Sequence, residues 1–393
     1  MNQASWQDEF AGVMMRSYPM PLRQFVRGEG VHVWDADGNE YLDFLAGIAV
    51  NALGHAHPVF VEAVSRQAAT LAHVSNYFST PPQLELAQRL RRLAAAADGR
   101  VYFGNSGAEA IEAAIKLARR TGRTEIIALQ NAFHGRTMGS LSLTGKPVLR
   151  DPFEPLLPGV RHIPATADAL ETAIGSQTAA VVLEPIQGEA GVIDLPDGFL
   201  ERARELTTAH GALLILDEIQ TGAGRTGEWF AFQHTGVVPD AIAVAKGIGG
   251  GFPIGALVTF ASASDLLAAG HHGSTFGGNA LATATANAVL AEIERAGLVR
   301  NAAGRGEQLR AALRELPHVT EVRGRGLLLG VGLDAPIAHA VNARALELGL
   351  IVNAANDTTI RLAPPLIIGD DEVSVFAERF AQTLSTIPSE APA

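Results

Sequence analysis

The stretch Ala241-Ile242-Ala243-Val244-Ala245-Lys246-Gly247-Ile248-Gly249-Gly250-Gly251 joins an unbroken apolar run to a glycine tract through a single charge. A second run, Ala212-Leu213-Leu214-Ile215-Leu216, ends the same way, in Asp217-Glu218. Short continuous apolar runs are the pattern of strands covered on both faces, as in the parallel sheets of α/β proteins. Each strand then delivers a charge at its carboxyl end, the rim where open α/β sheets bind ligands. A lysine and an aspartate 29 residues apart, on successive strands, suit a pyridine cofactor. The amine would hold an aldehyde and the carboxylate would face the ring nitrogen. A structural salt bridge between the two is the alternative, since a buried lysine left unpaired is costly.

Outward from this core the pattern repeats. Val101-Tyr102-Phe103, Ile126 to Leu129, Ala180 to Leu183 and Ala256 to Phe260 are further apolar runs, with helix candidates at Ala108 to Arg120 and Gly198 to His210 between them. Alternation of this kind predicts an α/β doubly wound fold. After Asn279 an alanine-rich helix is expected to Arg295, and another from Val299 to Leu316. A compact α+β tail follows, with strands near Val319 to Arg323, Leu327 to Gly332, Ile351 and Ile360, and helices over Ile337 to Leu348 and after Asp370. The expected division is an N-terminal segment (1–50), a large domain (51–284) and a small C-terminal domain (285–393). The first segment should pack on the small domain or on a partner subunit, and only the last few residues look disordered.

With 393 residues, 47% of them hydrophobic, the chain can bury a large core. At roughly 100–200 residues per domain it should hold two or three. The net charge of −11, without a run of Lys or Arg, argues against a nucleic-acid partner, for which a basic face is expected. Zero cysteines exclude disulfides, thiolate zinc sites and Cys nucleophiles. Met1 to Arg23 carries Asp8 and Glu9 and no apolar core of signal-peptide length. Ala241 to Ala263 is membrane-like in hydropathy, but Lys246 would cost roughly 2.5–3.5 kcal/mol near a bilayer centre, and glycines and Pro253 interrupt it. No membrane partner is expected, and the chain reads as cytoplasmic.

Asn105-Ser106-Gly107-Ala108-Glu109 follows one strand and opens a helix. Ser106 and Glu109 have capping-box spacing, and Gly107 lets a ligand approach the backbone. The site reads either as a phosphate seat on a helix end or as an ordinary capped helix. Nucleotide fingerprints fail. The third glycine expected after Gly247 and Gly249 is Phe252, and Gly145-Lys146 is followed by Pro147 instead of Ser or Thr. His55-Ala56-His57 and His271-His272 lack a zincin helix motif or a third ligand nearby, so no metal site is expected.

Further stretches complete a pattern: Ala49-Val50-Asn51-Ala52-Leu53-Gly54-His55-Ala56-His57-Pro58, Phe133-His134-Gly135-Arg136-Thr137 and Glu184-Pro185-Ile186-Gln187-Gly188-Glu189. Leu216-Asp217-Glu218-Ile219-Gln220-Thr221-Gly222 and His272-Gly273-Ser274-Thr275-Phe276-Gly277-Gly278-Asn279 follow in the same order. Together with the Lys246 region they resemble the class III, fold-type I, pyridoxal-phosphate-dependent aminotransferases, over most of the chain. Departures are Ala190, where a second glycine is usual, and Ala280, where a proline is usual.

The resemblance implies a mostly parallel, seven-stranded-type sheet in a large domain, a smaller α+β C-terminal domain, and pyridoxal 5'-phosphate as cofactor. It implies that Lys246 binds the cofactor's aldehyde and later shuttles a proton, while Asp217 keeps the pyridine nitrogen protonated. Gln220 would contact the phenolic oxygen, Phe133 would stack on the ring, and Glu218 and Ile219 would belong to the same cofactor shell. Gly107 and Ala108 would hold phosphate through backbone N–H groups. Thr275 would reach the phosphate from the other subunit, which implies a homodimer. Arg136, helped by Ser274, would hold the α-carboxylate of N2-acetylornithine. Arg361 would grip that of glutamate or 2-oxoglutarate, with Glu189 shielding it while the amine donor is bound. Bidentate pairing with carboxylates suits arginine to both tasks. The implied reaction is transfer of the ω-amino group of N2-acetylornithine to 2-oxoglutarate. Ornithine, N-succinylornithine, succinyldiaminopimelate and 4-aminobutyrate are the alternative donors, and an aminomutase is the alternative reaction.

Overall fold

The computed structural model describes residues 3–387. The expectation for the last few residues falls on 388–393, outside the described residues. The central sheet has seven strands, in the order Val101–Gly104, Gly255–Thr259, Ala241–Val244, Leu213–Asp217, Thr178–Leu183, Glu125–Leu129, Val160–Ile163. All run parallel except Gly255–Thr259, which is antiparallel to both of its neighbours. Ala241–Val244, Thr178–Leu183 and Gly255–Thr259 are buried at every position, as their unbroken apolar runs predict. The edge strand Val160-Arg161-His162-Ile163 escaped the apolar-run pattern, because it is only partly covered and carries two polar side chains.

Helices cover the sheet. Gly107–Arg119 packs through Ala110, Ile111, Ala113, Ala114, Ile115, Leu117 and Ala118, and the alanines let it lie close to the strands. Its start is half of the expected capping box. The Ser106 hydroxyl accepts the Glu109 N–H at 3.2 Å, but the Glu109 carboxylate reaches one residue further back, to the Asn105 backbone N–H and side-chain amide.

The N-terminal strands Phe25–Glu29, His32–Asp35 and Glu40–Asp43 form an antiparallel meander. Leu350–Ile351 adds to it in parallel, pairing Leu350 with Leu42, so the N-terminal segment packs on the C-terminal part of the chain. That part holds a four-stranded sheet, in the order Val319–Arg325, Leu328–Leu333, Thr359–Leu362, Asn353–Asn356, against which the helices Leu298–Leu313 and Ala338–Glu347 pack, with Asp370–Ser385 lying on those two helices. The expected domain boundary at 284/285 falls inside one continuous helix, Ala280–Arg295. The chain pauses only at Gly297, whose φ of 66° separates that helix from Leu298–Leu313. Alanine-rich sequence on both sides of 284 gave no boundary signal. Ala280 is the first residue of its helix, a position that a proline can also occupy.

Candidate active site

The carboxyl ends of the parallel strands open on one rim, and there they surround a cavity of about 480 Å³. After Val244 the chain passes through Ala245 into Lys246, which opens a 3-10 turn, Lys246–Ile248. Lys246 has a φ of 47°. A non-glycine residue in this left-handed region costs on the order of 1–3 kcal/mol, a strain that persists where the surroundings over-determine the geometry. Here the turn is held by the Ile248 N–H on the Ala245 carbonyl, at 3.1 Å, and the Gly249 N–H on that of Lys246, at 3.0 Å. The Lys246 side chain lines the cavity. Desolvation pushes its amine below the ordinary lysine range, with the Glu189 carboxylate the strongest opposing charge. Among the described residues Lys246 makes no salt bridge, so the ion-pair account of Lys246 and Asp217 does not hold.

Asp217 ends the neighbouring strand, where it pairs in register with Ala243. Both of its oxygens are engaged. Oδ2 lies 2.7 Å from His134 Nδ1, and Oδ1 accepts the Ile219 N–H at 3.0 Å. Burial alone would push the His134 imidazole down, but Asp217, with Glu184 behind it, outweighs that and holds it above its ordinary value. Glu184 is pushed up to about 7 by burial, although His134 opposes the shift. Its two oxygens take the Phe133 N–H, at 2.8 Å, and the Gly188 N–H, at 3.3 Å. One buried carboxylate thus ties the loop carrying Phe133 to the loop carrying Glu189.

At another side of the cavity the helix begins. The first-turn N–H groups of Gly107 and Ala108 have no intrahelical acceptor and sit at the positive end of the helix dipole. A Cβ at Gly107 would stand 2.8 Å from Ile219 Cδ1, so a larger residue here would push the Ile219 side chain aside. Phe133 is half-buried against the cavity, and the Arg136 guanidinium carbon lies 5.7 Å from its ring centroid.

Arg361 comes from the C-terminal sheet, and its side chain is 2% exposed. It donates to the Glu189 carboxylate, to Gln220 Oε1 at 3.2 Å and to Asn353 Oδ1 at 2.8 Å. Gln220 Nε2 in turn donates to Glu189 at 3.3 Å. Burial would raise the Glu189 carboxyl, but Arg361 holds it below the usual range.

Lys246, Asp217, Gly107, Ala108, Phe133, Arg136, Glu189, Ile219 and Gln220 all line one cavity, and Arg361 joins them through Glu189. Ser274 stands beside them, its hydroxyl accepting from Asn105 Nδ2 at 3.2 Å. Thr275 is exposed on this chain. Glu218 leaves the set. Its carboxylate turns away to accept the N–H groups of Ala231, at 2.9 Å, and Phe232, at 2.8 Å, and the Thr221 hydroxyl. It braces the turn Ala231–His234, and burial pushes it up to about 7. Successive residues of a chain leaving a strand point to opposite sides, so Asp217 and Glu218 could not both face the cavity.

His134 and Glu184 stood inside quoted motifs without a role, and only their tertiary contacts supply one. The remaining histidine pairs have local partners. His55 Nε2 lies 2.8 Å from Asp43, His57 Nδ1 accepts the Val59 N–H at a helix start, and His271 Nδ1 accepts the Ala268 N–H.

The donor set fits pyridoxal phosphate: an amine pushed toward its neutral form, a fully engaged carboxylate, a half-buried aromatic ring, and a helix start with free N–H groups. Comparisons with known proteins agree. The model of the family "Aminotransferase class-III" matches residues 13–384. The acetylornithine aminotransferase of Streptomyces coelicolor is 52% identical over 380 residues, covering 96% of this chain and 94% of its own. The structure of N-acetylornithine aminotransferase from Stenotrophomonas maltophilia is similar with a TM-score of 0.83 at 37% identity, covering 96% of this chain and 98% of that one. Ornithine aminotransferase from Toxoplasma gondii, in a structure with PLP at partial occupancy in its active site, gives 0.92 at 34% identity, covering 98% and 95%.

Proposed function

The chain belongs to the class III aminotransferases, and from that premise we propose that it moves the ω-amino group of N2-acetyl-L-ornithine to 2-oxoglutarate. The products are N-acetyl-L-glutamate 5-semialdehyde and L-glutamate, a step of arginine biosynthesis. The observation that carries the reading is the buried Arg361 paired with the Glu189 carboxylate, which lines the same cavity as Lys246 and Asp217. A cation under a displaceable anion can serve two substrates in turn. It is covered when the donor binds and bare when the dicarboxylic acceptor needs it.

When bound, pyridoxal phosphate supplies an aldehyde for amine exchange and an electron-accepting ring. Lys246 would hold it covalently and, once the substrate's amine has displaced it, would be an amine pushed toward its neutral form, suited to take and return the proton at the carbon that bears nitrogen. Asp217, oriented by His134 and by the Ile219 N–H, would hold the ring nitrogen. The N–H groups of Gly107 and Ala108 would hold the phosphate. Phe133, Gln220 and Ile219, which line the cavity, would hold the ring. Arg136, with Ser274 beside it, takes the donor's α-carboxylate, and Arg361 that of glutamate or 2-oxoglutarate. The reading includes a homodimer, in which the exposed Thr275 of one subunit meets the other's phosphate site. It also includes a cytoplasmic location. No helix among the described residues is long and apolar enough to cross a membrane.

A panel of donors added singly to the cofactor-loaded protein tests the assignment by the absorbance change of the first half-reaction. Acetylornithine should react faster than ornithine, N-succinylornithine, succinyldiaminopimelate or 4-aminobutyrate; indifference to it would reject the substrate. Turnover without 2-oxoglutarate would instead indicate an aminomutase.

A further inference from the structure

The pair Gly145-Lys146, which failed as a nucleotide motif, lies beside Glu189, which lines the cavity. Gly145 exchanges backbone hydrogen bonds with Asn131 and Ala132, donating to the Ala132 carbonyl at 2.8 Å and accepting from the Asn131 N–H at 3.1 Å. A Cβ at Gly145 would fall 2.1 Å from the Leu129 carbonyl oxygen, so the strand end and the start of the Lys146 side chain are locked together. From there Lys146 Nζ donates to the main-chain carbonyl of Glu189, at 2.5 Å. The side chain is half-buried, and among the described residues its ammonium has this one hydrogen bond and no salt bridge. An ammonium has three N–H donors, so two remain for another acceptor. Burial pushes Lys146 below the ordinary lysine range, and the charge that most opposes this is the Glu189 carboxylate.

Glu189 needs a second counter-ion. Arg361 holds it ionised, and a substrate carboxylate arriving at Arg361 displaces an anion that is still largely screened from water. An anion released inside such a site without a partner is strongly disfavoured. Four cations act there: Arg361, Arg136, Lys246 and Lys146. On the function proposed above, on which this inference rests, the first three are committed to the two substrates and to the cofactor. Lys146 is the one left, and it already touches the residue that must move.

We propose that Lys146 is the second station of Glu189. The carboxylate swings from Arg361 to the free donors of Lys146 when a substrate carboxylate takes Arg361, while the bond from Nζ to the Glu189 carbonyl keeps the backbone of the loop in place. Lys146 is therefore a positioning residue for the acceptor half of the reaction. It acts through Glu189 and does not touch the reacting atoms.

The test is calorimetric binding of glutarate, a dicarboxylate with nothing to react, to the cofactor-loaded protein and to its Lys146→Met, Lys146→Arg, Glu189→Gln and doubly substituted (Lys146→Met, Glu189→Gln) forms. Glu189→Gln alone should tighten glutarate, because the competing anion is gone. Lys146→Met should weaken glutarate about tenfold, the scale of one lost charge-assisted hydrogen bond, and Lys146→Arg should recover most of that. In the Glu189→Gln background the Lys146→Met penalty should shrink to less than about twofold, since no carboxylate remains to be received. An equal penalty in both backgrounds would make Lys146 a general attractor of anions and overturn the proposal, as would the absence of any penalty. If Glu189→Gln leaves glutarate binding unchanged, the switch itself fails, a result that reads separately from Lys146. Single-turnover rates should agree, with the 2-oxoglutarate half-reaction of Lys146→Met losing about tenfold more than the donor half.

Discussion

The floor and the edge of the cavity are built differently. The floor, Lys246 and Asp217, stands at the ends of adjacent parallel strands of one sheet, each residue one or two positions past a run of buried apolar side chains. Its contacts are fixed by backbone turns and by a buried imidazole. The edge, Arg361, Glu189 and Lys146, is assembled from a C-terminal strand and two loops, and its ion pair, Arg361 with Glu189, bridges 172 residues of sequence. Chemistry common to both half-reactions is expected where geometry is rigid. Discrimination between two substrates is expected where a charge can be exposed and covered.

Substitutions can break that division. Lys246→Ala removes the group both halves require, so both should fall by at least about a thousandfold, together with the absorbance of the lysine-bound cofactor. A surviving spectrum would detach the floor from the cofactor. Arg361→Ala should act on one half alone. The glutamate half-reaction should lose on the order of a hundredfold, from a lost bidentate carboxylate contact, while the acetylornithine half stays within about threefold. Equal losses in separate half-reaction rates would erase the distinction between floor and edge.

His134→Gln sharpens the same point from below. It removes the imidazole partner of Asp217 while the carboxylate keeps the Ile219 N–H. Cofactor retention on dialysis and both half-reaction rates should fall together, each by about tenfold. A change confined to one substrate would place His134 in the edge.

The smallest expected effect concerns stability. Glu218 is held near 7 by burial, above the ordinary 4.5. Its raised value means that the folded state binds the proton more tightly than the unfolded chain does. The associated stability is full below pH 4.5 and is lost as pH rises through about 7. Relative to Glu218→Gln, the wild-type protein should lose about 2 kcal/mol between pH 5 and pH 8 in denaturant titrations. A flat difference would show that the bonds from Ala231, Phe232 and Thr221 keep the carboxylate ionised.

Much of the floor was legible in the sequence, for a local reason. Lys246, Asp217, Phe133 and Gly107 all lie just beyond apolar runs, and parallel strands bring such positions to one rim. The strand Val160–Ile163 was not legible, because an edge strand needs no continuous apolar face. Glu218 was misplaced because motif membership says nothing about which way a side chain leaves the strand. The expected boundary at 284/285 lies inside the helix Ala280–Arg295, where alanine-rich sequence marks no local break.

The sequence by itself determined the fold class, the lysine–aspartate pair and the family resemblance, since these rest on periodicity and short motifs that are local in the chain. Only the tertiary structure decided that Asp217 answers to His134 and not to Lys246, that Glu184 ties two loops together, and that Lys146 touches the carbonyl of Glu189. The contacts of His134 with Asp217, Phe133 with Glu184 and Lys146 with Glu189 span 43 to 83 residues of sequence. Electrostatic partners are chosen by distance and burial in three dimensions, which no spacing along the chain encodes.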